Sequence, residues 1–89
     1  LHGGALAAYV DAVLFAAAHM HGVEGAGRAT TVDLSLQFAG AGEVDEPLDF
    51  QVELVRETGR LAFLRGVASQ GRGPIASFMG TIRKPSAPR

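Results

Sequence analysis

The first fifth of the chain is apolar with almost no interruption, and two later stretches, residues 30–38 and 48–54, alternate between apolar and polar residues at every second position. In the opening stretch Leu6, Tyr9, Val10, Val13, Leu14 and Phe15 fall on nearly every face of a 3.6-residue period. Together with the many alanines they predict one helix over residues 4 to about 21, closed by the left-handed stop that Gly22 supplies. A helix that is apolar all round is expected to be buried, so other elements must wrap it.

The strands that follow are predicted to do so. From Thr30 to Phe38 one face carries Val32, Leu34, Leu36 and Phe38 and the other Thr31, Asp33, Ser35 and Gln37, the pattern of a half-buried strand. After a loop over residues 39–46, Leu48, Phe50, Val52 and Leu54 alternate with Asp49, Gln51 and Glu53. Thr58-Gly59 marks a tight turn into a third strand over residues 60 to about 69. A second turn over residues 70–74 leads to a fourth strand over 75–83, in which Phe78 and Met79, with Phe63 on the third, are read as core. One helix, one strand and a three-strand meander make an α+β fold, with an antiparallel sheet curled around a long central helix. Residues 1–84 are read as one domain and 85–89 as a flexible tail.

The chain has 89 residues, 47% of them hydrophobic. That is a large share for a domain that buries only about 60–65% of its surface, and it implies apolar area left for a second subunit. A net charge of -1 argues against a nucleic-acid binder, which needs a concentrated basic surface. The absence of cysteine removes disulfides, thiolate metal sites and thiol nucleophiles. The apolar run over residues 5–18 is too short to span a bilayer, and Asp11 in its middle speaks against a signal peptide. A cytoplasmic protein with no membrane partner is the expectation. The chain opens at Leu1 rather than Met and is read as a piece of a longer protein. His19 and His21 stand on different helix faces and cannot chelate one ion. Asp45, Glu46 and Asp49 lack calcium-loop spacing. Neither a metal nor a cofactor is expected.

Asp11 is the residue that does not fit. Its helical neighbours Ala7, Ala8, Leu14 and Phe15 set a carboxylate among apolar groups, which costs free energy unless a partner or solvent meets it. It is either turned to water or satisfied by a donor, or it is a general base or nucleophile in a dry cleft. His2-Gly3-Gly4 at the helix start is either a hinge or an approach to free backbone N–H groups that favour developing negative charge. Eight residues separate Gly3 from Asp11, roughly 12 Å along a helix. Both cannot touch one carbonyl, so if they cooperate they come from different subunits, at a two-fold interface.

The string His2-Gly3-Gly4-Ala5-Leu6 with Asp11 nine positions after the histidine resembles the hotdog-fold acyl-CoA thioesterases of the phenylacetate-pathway (PaaI-like) type. Thr30-Thr31-Val32-Asp33-Leu34-Ser35 is similar to that family's first strand after the helix. Glu57-Thr58-Gly59-Arg60-Leu61-Ala62-Phe63 looks like its next hairpin, and residues 76–83 like its closing strand. The resemblance implies a hotdog fold and a homodimer or homotetramer acting on an acyl-CoA. It gives the Gly3 amide the task of polarising the thioester carbonyl. Asp11 of the other subunit becomes the nucleophile or the base that activates water. His2 and Gly4 shape the substrate pocket, Thr31 matches a Ser/Thr that contacts the acyl group or the attacking water, and Gly59 with Arg60 lies where the CoA nucleotide is met. The family also carries an early strand ahead of His-Gly-Gly. Without it the edge of the 48–55 strand is expected to be open. A non-catalytic acyl-thioester binder and a bare dimerisation module are the alternatives. Asp11 separates them from a hydrolase, because a binding pocket gains nothing from a carboxylate in its apolar wall.

Overall fold

The computed structural model describes residues 3–23, 25–43 and 45–85. Its elements are α1 (Gly3–Met20), a 3-10 turn (Ala26–Arg28), β1 (Thr30–Phe38), β2 (Asp49–Glu57), β3 (Leu61–Gln70) and β4 (Gly73–Arg83). The strands form one antiparallel sheet in the order β1-β4-β3-β2. The meander β2-β3-β4 is as the alternation predicts, and β1 lies against β4. Among the described residues both β1 and β2 are edge strands. With one helix packed on a four-strand antiparallel sheet, this is the α+β hotdog arrangement.

The helix stops for a local reason. Gly22 adopts φ 78°, so its N–H reaches the His19 carbonyl at 3.1 Å while the Val23 N–H reaches that of Ala18 at 2.9 Å. Two otherwise unpaired carbonyls are satisfied in this way. Val23 and Ala18 both enter the core, which pins the exit of the chain.

Leu6, Val10, Leu14, Ala17 and Ala18 meet Ala62, Leu64, Ala68, Phe78 and Ile82 across the helix–sheet interface. The helix is not enclosed as its composition predicts. The sheet covers one side only; Ala5, Ala8, Ala12 and Ala16 are exposed, and Tyr9 and Met20 are 56% and 85% exposed. Four strands reach only part of the way around a helix about 10 Å across. Met79 is a second correction. Pairing places it on the sheet face away from the helix, where it is exposed, whereas Phe78 is core. Phe63, on that same outer face, is half-buried.

The β2–β3 turn is held by Thr58, whose Oγ1 accepts the N–H groups of Arg60 at 3.2 Å and Leu61 at 2.9 Å. The second turn is tighter than the sequence predicts, because Gln70 and Gly73 pair directly and Gly71-Arg72 alone makes the reversal. Gln70 is buried and exchanges hydrogen bonds with the backbone of Glu43 and Glu46, fastening the loop that precedes β2.

Candidate active site

The strict alternation of β1 predicts Thr31 on the face away from the helix. A bulge places it on the other. Thr31 pairs with Ile82 and Asp33 with Thr81, so Val32 is an extra residue with no partner. Directly paired residues project to the same face, and Ile82 is fully buried beneath the helix. Thr31 therefore faces α1, and its Oγ1–H donates to Asp11 Oδ1 at 2.7 Å. Re-aiming one side chain is a recurrent use of a bulge.

Asp11 is half-buried at the rim of α1, in helical register with half-buried Ala7 and Phe15 and fully buried Leu14. The carboxylate is neither turned away to water nor left unpaired. The threonine hydroxyl fixes its rotation, and Oδ2 carries no bond to another described residue. Such a group can accept a proton from a bound water or attack a carbonyl, while Thr31 retains lone pairs for a further donor.

β2 repeats the device. Val55 is the extra residue there, and Glu57 pairs with Ala62, which turns it to the helix side. Its Oε2 accepts from Lys84 Nζ at 2.7 Å. Thr31, Ile82, Ala62 and Glu57 thus form one cross-strand row with a bulge-turned polar residue at each end.

Gly3 is the first residue of α1 and Gly4 lies exposed in its first turn. At 1.5 Å per residue Gly3 stands roughly 12 Å from Asp11 along the axis. Gly59 and Arg60 occupy the β2–β3 turn, at the same end of the sheet as Thr31, and the Asp11–Thr31 hydrogen bond does not involve them. His2 lies outside the described residues. The fold thus brings Asp11 and Thr31 together and holds Gly3, Gly4, Gly59 and Arg60 apart from them within one subunit.

Among the described residues no cluster of three or more His, Asp or Glu side chains is placed to hold a metal ion. None of the helices there is long and apolar enough to cross a membrane. A groove of about 610 Å³ on the sheet face away from the helix is lined by Ser35, Gln37, Gln51, Arg65, Ser77 and Met79, and shares no residue with the Asp11–Thr31 pair.

A long helix on a four-strand antiparallel sheet is the hotdog arrangement, and the hydroxyl-anchored carboxylate of Asp11 lies at the rim of that helix. The chain belongs to the Thioesterase superfamily, whose family model matches residues 1–76. A comparison with curated proteins returns no match. Among solved structures, a hypothetical thioesterase from Streptococcus pneumoniae with coenzyme A is similar over 99% of this chain and 66% of its own, at TM-score 0.83 and 18% identity. A variant of the phenylacetic acid degradation protein PaaI from Thermus thermophilus is similar over 94% of this chain and 69% of its own, at TM-score 0.79 and 20% identity. Thioesterase superfamily member 2 from Mus musculus is similar over 93% and 60%, at TM-score 0.77 and 22% identity. At these identities the likeness establishes the fold, and the chain spans about two thirds of the length of these structures.

Proposed function

We propose that the protein hydrolyses acyl-CoA thioesters to a free acid and CoA at a site shared between two subunits. The observation that carries this reading is the 2.7 Å bond from Thr31 to Asp11, which holds a carboxylate in a fixed orientation at the rim of the apolar helix. In the proposed reaction Asp11 accepts a proton from water as the water oxygen bonds to the thioester carbon. The Gly3 N–H of the other subunit stabilises the resulting oxyanion, as donors at a helix N-terminus do. The tetrahedral centre then collapses, the carbon–sulfur bond breaks, and the thiolate leaves and takes up the proton. If Asp11 attacks directly instead, its carboxylate oxygen bonds to the thioester carbon, the carbon–sulfur bond breaks to release the thiolate, and water then opens the resulting acyl anhydride and supplies the proton that the thiolate takes up. His2 and Gly4 contribute to the pocket, Thr31 orients Asp11, and Gly59 and Arg60 meet the CoA portion.

Two features support the shared site. Gly3 and Asp11 are too far apart on one helix to meet one carbonyl. Among the described residues the β1 edge beside Asp11 and the alanine-rich side of α1 are uncovered, which supports a homodimer or a pair of dimers; the compartment we assign to it is the cytoplasm. The testing experiment is thiol release from a panel of short, long and aromatic acyl-CoAs, run beside Asp11→Asn. Release by the wild type and loss in the variant support the reading. Undiminished turnover in the variant would overturn the role of Asp11.

A further inference from the structure

The helix face of β1 carries a run of apolar side chains that begins at the Asp11–Thr31 pair. Past the bulge Leu34 lies opposite Gly80, Leu36 opposite Phe78 and Phe38 opposite Ala76. Phe78 and Ala76 belong to the core, so Leu34, Leu36 and Phe38 project to the same side of the sheet as Thr31. The polar residues of this stretch, Asp33, Ser35 and Gln37, pair with Thr81, Met79 and Ser77 on the outer face. On α1, Phe15 stands one turn past Asp11, and side chains four positions apart on a helix are neighbours.

Phe15, Leu34 and Leu36 are half-buried and packed against the core, whereas Phe38 at the far end is 57% exposed. Between Thr31 and Phe38 no residue of β1 offers a hydrogen-bonding side chain to this face. Leu34, Leu36 and Phe38 follow Thr31 at roughly 7, 13 and 20 Å along the strand direction, taking the rise of the paired β4 residues at about 3.3 Å each. A polar acyl end would find no partner on this strip, and an unpaired polar group is costly where water is displaced. An apolar chain gains from each methylene laid on it.

We infer that the strip from Phe15 and Leu34 through Leu36 to Phe38 is the track for the acyl chain. It selects elongated aliphatic acyl groups over acyl groups with a polar or charged end. This rests on the hydrolase reading above and adds to it the substrate class and the residues that measure its length. The track lies on the helix side of β1 and not along its hydrogen-bonding edge, so a second subunit joined at that edge leaves it in place.

The test is thiol release over butyryl-, hexanoyl-, dodecanoyl- and palmitoyl-CoA, with glutaryl-CoA as the polar-ended member. In the wild type kcat/KM is expected to rise about twofold per methylene over the shorter members, half the free energy of full burial because the strip is open on one side. Glutaryl-CoA should fall about tenfold or more below hexanoyl-CoA. Leu36→Gln sets a polar group partway along the track and should lower the dodecanoyl-to-butyryl ratio of kcat/KM by about tenfold. Phe38→Gln sets one at the end and should lower the palmitoyl-to-butyryl ratio by about threefold while sparing the dodecanoyl-to-butyryl ratio. Phe38 is exposed, so its variant tests the track even where Leu36→Gln disturbs the fold. Met79→Gln, on the outer face, is the control and should move neither ratio. Ratios unchanged in both variants, a uniform fall across the series in Phe38→Gln, or equal turnover of glutaryl- and hexanoyl-CoA overturns the inference and leaves the hydrolase reading standing. If the wild type cleaves none of the series yet binds it in calorimetry with the same two break points, the hydrolase reading fails and the track stands. Binding without those break points, or no binding, overturns both.

Discussion

Leu14 Cδ1 occupies the space that a Cβ on Gly80 would need. Gly80 sits between Leu34 on β1 and Leu64 on β3, so the missing side chain is what lets the helix descend onto the middle of the sheet. Gly80→Ala is expected to cost about 1–3 kcal/mol through overpacking. For a domain of this size each kcal/mol lowers Tm by roughly 4–8 °C. Adding Leu14→Ala should return part of that loss, because the two changes share one space. Thermal melts of the single and double variants would show it; strictly additive losses would contradict the contact.

Asp11→Asn keeps an acceptor for the Thr31 hydroxyl at nearly constant volume. The expected outcome is a fall in kcat of about 10²–10⁴, the range for loss of a general base, with a far-ultraviolet spectrum and Tm close to wild type. A variant that loses activity together with its fold would point to a structural carboxylate instead.

Thr31→Val removes the hydroxyl and keeps the shape. Because Thr31 acts through Asp11, kcat should drop by about tenfold, the equivalent of one hydrogen bond to a charged group, with KM little changed. Thr31→Ser retains the donor and should restore most of the rate. Failure of serine to rescue would mean that the methyl group, not the hydroxyl, matters.

A shared site makes a distinctive mixing experiment available. Gly3→Pro deletes the amide N–H at a position in the first turn where proline is tolerated. Neither it nor Asp11→Asn should turn over alone. Subunit exchange in an equal mixture creates mixed dimers with one intact site each, so about a quarter of wild-type activity should return. A mixture that stays inactive after confirmed exchange would rule out Gly3 and Asp11 working across an interface.

The two ion pairs should differ in weight. Arg65 and Glu53 are 61% and 60% exposed in their side chains, Lys84 and Glu57 only 11% and 31%. Arg65→Gln is expected to cost about 0–0.5 kcal/mol, as surface pairs do. Glu57→Gln strands a largely covered ammonium and should cost about 1–2 kcal/mol, less than a fully buried pair. Denaturant midpoints for both variants decide it.

Much of the fold was legible in residue periodicity. The step from a uniformly apolar run to strict alternation located the helix and the first two strands, turn signals at Thr58-Gly59 and over residues 70–74 located the other two, and Gly22 marked the helix end. The mutual position of the site residues was not legible. Alternation assigns Thr31 to the wrong face because a bulge leaves no mark in a pattern of apolar and polar letters; Val32 looks like any inward residue of its strand and is 55% exposed. Asp11 could be singled out by its surroundings, yet its partner lies 20 positions away and is found only through sheet register. The uncovered side of α1 was missed for a different reason: composition records that a helix is apolar, not how many strands are at hand to cover it.

The paired bulges at Val32 and Val55 set the chemistry of this sheet by counting rather than by kind. Each edge strand carries one residue more than its neighbour requires, and that surplus alone decides whether a hydroxyl or a carboxylate looks toward the helix. Of the central strands, β4 takes up an extra residue only near its start, where Ile75 falls between the Ala68–Ala76 and Ser69–Pro74 pairs. An insertion or deletion of one residue in β1 or β2 is therefore a route by which a scaffold of this kind acquires or discards a polar group beneath its helix while its interior stays as it was.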